Sequence, residues 1–496
     1  MLKFWMPHTD YISFISVQIS SLSLSDRIRL DGLFSHSLEK LTSLNLDPIL
    51  ALLLPYYSTT GRPALFQPEI IRSFILMLDT KETSIKRWIH TLHSNPLMAF
   101  LIGCSPGCVP SLGAHYDFIS RLWLRDKDIQ KQLRLRKHKF NFFVKPKKLR
   151  LKKGEKLPLS SPGVVKKMAA FFRNDRSFSG RAEKLLQQLF VLAAVVPSVD
   201  LGLILPESLT VSGDGTCLPV PSSHYGIKDC DCLKNGIWGC KCERRYSDAD
   251  ARWGWDSSKE QWFYGHTIYL LSCYNKLYHV DLPLYFRFVG ANRHDSVSGI
   301  VAMGEFRELC PDLPIKNIVL DSAHDNYPTY HLCSEWNITP FIDLNPTNNG
   351  NLTYPSAVSV NEKGVPICMG GHPMVNWGIC NDKNRRKWRC PLACGKIEEC
   401  SCKEQCSPSE YGRVIYTKPS DDLRIFTPVP RGTKAFKDIF KTRTCSERVN
   451  NRILNDYNVE HMQIRGKKRY SFFTMIASIL IHLDARLKQK KQMQVA

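Results

Sequence analysis

Val211-Ser-Gly-Asp-Gly-Thr216 and Ile318-Val-Leu-Asp-Ser322 are the two stretches on which the fold of this chain turns. Each is a short apolar run that closes on an acid, so each predicts a buried strand ending in a carboxylate, Asp214 in the first and Asp321 in the second. Gly213 and Gly215 flank the first acid and are expected to let a cation and a phosphate come close to the backbone. Hard divalent cations want oxygen ligands on a rigid scaffold, and two strand-end carboxylates offer that. Taken singly, an acid at a strand end is just as readily a turn former.

Working outward, the segments 208–211, 267–272 and 277–288 read as strands, the last interrupted by Pro283. A helical stretch at 296–309 follows, then the strand 315–320 that ends on Asp321, a helix at 327–336 and a strand at 340–344. Alternation of this kind predicts an α/β core with a mixed sheet flanked by helices. A third acid stands far downstream in Phe440-Lys-Thr-Arg443-Thr-Cys-Ser-Glu447-Arg-Val-Asn-Asn-Arg452. This segment reads as a helix on which Arg443 and Glu447, four apart, share a face. In isolation such a pair is a surface ion pair. The gap from Asp321 to Glu447 is longer than one strand and one helix require, so an inserted subdomain is expected between them.

The chain has 496 residues, enough for several domains, and 68 Lys plus Arg against 46 Asp plus Glu, a net charge of +22. That balance points to a polyanionic partner. Membrane is the weakest choice, because the most apolar runs, 49–57 and 472–483, are short of the roughly 18 to 20 residues that span a bilayer. The first 20 residues read as no secretion signal, and residues 24–125 carry the three- and four-residue spacing of a helical domain, as in Ile70, Ile71, Phe74, Ile75, Met77 and Leu78. Between 131 and 156 stand twelve Lys or Arg and one acid, with Phe140, Phe142 and Phe143 interleaved; Lys147, Lys148 and Arg150 are the candidate phosphate contacts there. The plainer reading is a solvated linker. The 18 cysteines, with no export signal read, point to a reducing compartment and to metal rather than disulfides. Zinc prefers thiols two to four residues apart, which favours Cys390, Cys394, Cys402 and Cys406 as a structural zinc site over the C-x-C pairs Cys230/Cys232 and Cys240/Cys242. His294 and Asp295 read as a satisfied turn, and Trp253 and Trp255 as core packing or as a stacking surface for a flipped base.

Several phrases together resemble the DDE transposases of bacterial insertion sequences, over about 66–487. They are Phe66-Gln-Pro-Glu-Ile70, the first acid followed by Tyr264-Gly-His-Thr-Ile-Tyr269, Ala291-Asn-Arg-His-Asp295, Asp321-Ser-Ala-His-Asp325-Asn-Tyr327, and the Phe440, Arg443, Glu447 spacing. The family's signature has tyrosine where Phe440 stands and lysine where Leu454 stands, with Arg448 or Arg452 as substitutes for that charge. The resemblance implies a ribonuclease-H-like core and an activity that cleaves DNA strands and transfers them to a target. It implies Asp214, Asp321 and Glu447 as catalytic ligands of two Mg2+ ions, Mn2+ substituting, with Asp214 bridging. Arg443, Arg448 and Arg452 would meet double-stranded DNA, and the protein would be a homodimer on DNA, cytoplasmic and associated with the nucleoid. The implied organisation is a helical, DNA-end-binding domain at 1–130, a basic linker at 131–166, a connecting helix at 167–200, the core at 208–345, a Cys-rich and largely β insertion at 346–430, and a helical part at 431–490 bearing the third acid. Asp325, the rival to Asp321, is expected to cap the next helix. The competing functions are a transposase-derived DNA-binding protein without catalysis and a nuclease of the same fold without strand transfer.

Overall fold

The computed structural model describes residues 1–125, 135–137, 163–178, 180–345, 359–402 and 406–495. Lys147, Lys148 and Arg150, and most of the basic linker, lie outside the described residues. The strands are β1 (Leu135–Lys137), β2 (Thr210–Pro219), β3 (Ile227–Lys228), β4 (Glu243–Arg245), β5 (Arg252–Asp256), β6 (Gln261–Asn275), β7 (Val280–Gly290), β8 (Asn317–Leu320), β9 (Thr339–Ile342), β10 (Val375–Cys380), β11 (Arg385–Arg389) and β12 (Val414–Thr417).

The central sheet is mixed and flanked by helices. β6 is its spine, buried almost continuously from Phe263 to Cys273 as a strand covered on both faces must be. One edge of β6 pairs antiparallel with β2, setting Asp214 opposite Leu270. Its other edge is shared in succession by β5, through Arg252 opposite Gly265, and by β7, through Gly290 opposite His266. Beyond β2 lie β8 and then β9, both parallel to it. Across the sheet the order is therefore β7 with β5, β6, β2, β8, β9. Pro283 does not break β7: it sits at a register shift opposite Ser272, on a strand that pairs only with β6, where a missing N–H costs the ladder nothing.

Side chains alternate across β2, so its two faces are covered by different helices. Gly213 and Gly215 open toward the helix Asp295–Leu309, while Ser212 and Asp214 face the helix Thr444–Asn451. The C-terminal helix Lys467–Val495 is buried from Tyr470 to Leu483 because it fills the space between the sheet and the N-terminal helices. Phe74, from the helix Gln67–Asp79, meets Phe472 and Phe473 edge-on at 4.7 and 5.5 Å. The N-terminal helices and the sheet thus share one continuous core. Among the described residues no helix is long and apolar enough to cross a membrane. Between β9 and the helix Lys434–Phe440 the chain forms a separate antiparallel sheet, β10-β11-β12, around Cys368, Met374, Trp388 and Ile415.

Candidate active site and the cysteine hairpin

Asp214 lies in the middle of β2, not at its end as its glycine flanks suggest. It nonetheless stands at a strand end in another sense, because the parallel partner β8 is registered only as far as Ser212 opposite Val319 and stops at Leu320. Asp321, the next residue, leaves the sheet there and caps the turn Ser322–His324, accepting from Ala323 N at 3.1 Å. Carboxyl ends of parallel strands are where open α/β sheets place ligands. The helix Thr444–Asn451 adds the third acid. Ser446 meets Ser212 at 2.8 Å, Asn450 donates to Asp214 at 3.3 Å, and Glu447, one residue round the helix, is half exposed and paired with Arg443 at 2.7 Å.

Electrostatics ties these acids into one cluster. Burial first, then the carboxylates of Asp295, Asp321 and Glu447, push the Asp214 carboxyl up to about 7 against the pull of the Gly215 N–H. Burial would raise Asp321 as well, but the His324 imidazole, hydrogen-bonded at 2.6 Å, outweighs it with help from Ala323 N and Arg443 and holds the group below the usual carboxylate range. His324 uses its other nitrogen on the Tyr269 hydroxyl at 2.8 Å. The chain Asp321–His324–Tyr269 so fixes the second acid from beneath.

Asp295 is a fourth carboxylate that sequence reasoning took for a turn. His294 does make the turn, capping the helix Asp295–Leu309 by accepting from Ser296 N. Asp295 then lands against Gly215, where an added Cβ would lie 2.4 Å from its Oδ1. Burial and Asp321 raise its pKa, opposed by His324 and His294. The glycines beside Asp214 therefore have a different reason from the one expected: Gly215 admits Asp295, and Gly213 admits Leu320 and the Tyr269 hydroxyl, 2.7 and 2.8 Å from where a Cβ would stand.

Other expectations need correction or relocation. Asp325 caps no helix; Asn326 does that, and Asp325 is buried in an ion pair with Arg424, at 2.9 and 2.6 Å, while accepting from the Tyr330 hydroxyl. Arg448 grips Asp281 through two bonds of 2.7 Å, and Arg452 pairs with Asp484 and Asp456. Leu454 is buried. Trp253 and Trp255 are 44 and 49% exposed on β5, with Trp262 of β6 across from Trp255 at 5.5 Å, so they form surface and not core.

The cysteines also arrange themselves against expectation. Among the described residues, Cys230, Cys232, Cys240 and Cys242 form the group whose ligand atoms all lie within 4.8 Å of one another, and they could hold a metal ion such as zinc. Cys390, Cys394, Cys402 and Cys406 are not gathered in that way; Cys402 instead neighbours Cys400, at 3.3 Å. Spacing did not anticipate the first gathering, because two C-x-C units on either side of a turn can converge as well as wider pairs do. The three main acids are likewise not packed to a common 4.8 Å. No protein-family model matches the chain, and no curated protein matches it.

Proposed function

We propose that this chain is a DNA-cutting and DNA-joining enzyme of the DDE transposase kind, with Asp214, Asp321 and Glu447 as its catalytic carboxylates. The observation that carries the reading is the convergence on Asp214 of acids from one strand end and the starts of two separate helices, Asp321, Asp295 and Glu447, which together with burial push its carboxyl up. Acids gathered about one largely buried carboxyl, with Asp321 and Glu447 open to solvent, suit a divalent cation, and the donor set is all oxygen, as Mg2+ or Mn2+ prefers. The strand order supports a ribonuclease-H-like core: β2, β6 and β7 are antiparallel neighbours, β8 and then β9 follow parallel on the other side of β2, and the third acid is on a later helix.

Asp214, Asp321 and Glu447 would together hold the divalent ions. A pair of such ions supplies activation of the attacking oxygen and stabilisation of the leaving oxygen in an in-line displacement at phosphorus. The protein's own groups do the positioning. Asn450 fixes the Asp214 carboxylate from the helix side, His324 fixes Asp321, and Arg443, near Asp321 and paired with the half-exposed Glu447, is placed to turn from that carboxylate to a phosphate oxygen. The net charge of +22 favours a duplex DNA partner.

The test uses duplex DNA bearing the terminal inverted repeats that flank the coding sequence, with Mg2+ and a target plasmid. The expected products are cut ends and joined target, both abolished by Asp214→Asn while the gel shift of end DNA persists. Retained cutting in that variant overturns the site. Cut ends that never join reduce the activity to a nuclease.

A further inference from the structure

We propose that Cys230, Cys232, Cys240 and Cys242 bind one structural zinc ion, and that this ion holds together the hairpin against which the basic segment of the chain is paired. The site is independent of the carboxylate cluster and stands whether or not that cluster cuts DNA.

The stem of the hairpin is β3 and β4, antiparallel with Ile227 opposite Arg245 and Lys228 opposite Arg244. One C-x-C unit follows the first arm and the other precedes the second. Past the stem the first unit runs through a bend and a turn and the second through irregular chain, and these loops bring the four sulfurs together, all within 4.8 Å of one another. Cys230 Sγ lies 3.6 Å from Cys240 Sγ, and Cys232 Sγ lies 3.5 Å from Cys242 Sγ. A tetrahedral zinc with bonds of about 2.3 Å has sulfur–sulfur edges of about 3.8 Å. A disulfide would need about 2.05 Å.

The loop between the arms has no apolar core of its own and is otherwise held by local turn bonds, such as Asn235 N to Asp231 O at 3.1 Å, and by the exposed Lys234–Asp231 pair. Its apolar residues Leu233, Ile237 and Trp238 are 50, 53 and 76% exposed, so they build no core. What remains is a tight turn, Ile237 N to Cys232 O at 2.8 Å with Gly236 at φ 75, and Lys228 reaching Trp238 O at 2.7 Å. A segment that buries so little apolar surface is of the kind that metal ligation stabilises. Lys228, Lys241 and Arg244 add positive charge near the four thiols, while Lys234 and Arg245 pair with Asp231 and Asp229. The free edge of β4 pairs with β1, Leu135 opposite Arg245 through Lys137 opposite Glu243, and β1 belongs to the stretch 131–156 with its twelve basic residues. Holding the hairpin therefore holds one point of that stretch, residues 135–137, in a three-stranded sheet with it.

The full chain, purified under reducing conditions, is assayed for zinc by release to a chromogenic chelator, beside Cys230→Ser/Cys240→Ser and, for the other cluster, Cys390→Ser/Cys394→Ser. The hairpin variant should hold one equivalent less zinc than the parent, and the second variant should leave that equivalent in place. Cobalt in the parent should give thiolate charge-transfer absorption that the hairpin variant loses. Should the hairpin variant fail to fold, alkylation of the parent read by mass spectrometry decides: these four thiols should be protected until chelator is added, and trypsin should then cut within 227–245 about tenfold faster. Full zinc retained in the hairpin variant, alkylation of the four thiols in zinc-loaded protein, or two disulfides within 230–242 of reduced-purified protein would each overturn the proposal.

Discussion

Asn450 donates from Nδ2 to Oδ2 of Asp214 over 3.3 Å, joining the middle of a central strand to a helix 236 residues further along the chain. The amide is buried, and its own oxygen has no hydrogen-bond partner among the described residues. A neutral donor is the one kind of group that can face an already crowded carboxylate without adding charge. Asn450→Asp should therefore destabilise the metal-free protein by about 1 to 3 kcal/mol at pH 8, where the two acids repel, and by much less at pH 5, where Asp214 is protonated. Denaturant midpoints at the two pH values check this. Equal losses at both would mean that the cost is steric.

The pKa of Asp214 makes a second prediction about the parent chain. A carboxyl raised from 3.8 to about 7 holds its proton in the folded state after the unfolded state has released it. Stability from this group is therefore lost as pH rises between those values, and the loss levels off above about 7. At about 1.36 kcal/mol per pKa unit the ceiling is roughly 4 kcal/mol. Asp214→Asn should be more stable than the parent at pH 8 and not at pH 4, by thermal unfolding in chelator. Mg2+ should stabilise the parent at pH 8 and leave the variant unmoved; an identical response of both would remove Asp214 from the cation site.

Much of this cluster is legible in the sequence, and the reasons for the gaps are physical. Apolar runs closing on acids marked Asp214 and Asp321; for Asp321 the reason is that the carboxylate leaves the buried strand, while Asp214 stays within β2, level with the end of β8. The Arg443–Glu447 pair was readable from helical spacing, but its place beside the other acids came from the resemblance and not from the spacing. Asp295 was hidden because its importance comes from the approach of a helix start to Gly215, a contact between elements that local pattern does not encode. Asp325 misled for the same reason: its partner Arg424 lies 99 residues away. β5 escaped notice because the outward-facing Trp253 and Trp255 carry the wrong polarity for surface, although their alternation about the fully fitted Gly254 is that of a strand. The cysteine hairpin had a readable signal, two C-x-C units across a turn, whose geometric meaning depends on the stem being extended.

The Asp325–Arg424 pair yields a prediction about how the inserted region is held. Both side chains are almost wholly buried, at 0 and 3% exposure, and they join the segment just past β8 to the chain leaving β12. Removing one partner of a buried pair leaves a charge without compensation, typically about 3 to 5 kcal/mol. Arg424→Met should lose that much by urea denaturation, and Arg424→Met with Asp325→Asn should recover most of it. If the double variant is as unstable as the single, packing rather than charge holds the two segments.

Gly215 offers the sharpest check on the fourth acid. Its backbone is ordinary extended strand, so alanine is refused by space alone, and the space belongs to Asp295: the new carbon would stand 2.4 Å from Oδ1 and 2.9 Å from Cγ. Asp295 begins a helix that is buried along most of its length, so the backbone cannot retreat and the side chain must swing away. Gly215→Ala should then cost about 1 to 3 kcal/mol, as overpacking does. In an Asp295→Ala background the same change should cost less than about 0.5 kcal/mol, a coupling that a double-mutant cycle reads directly. Gly213→Ala, whose obstacles are Leu320 and Tyr269, should show no such relief and serves as the control. Because Asp295 is the foremost of the neighbouring charges that raise Asp214, its displacement by Gly215→Ala should also move the Asp214 titration downward, and a profile that stays near 7 would mean that Asp295 acts on the fold without acting on the site.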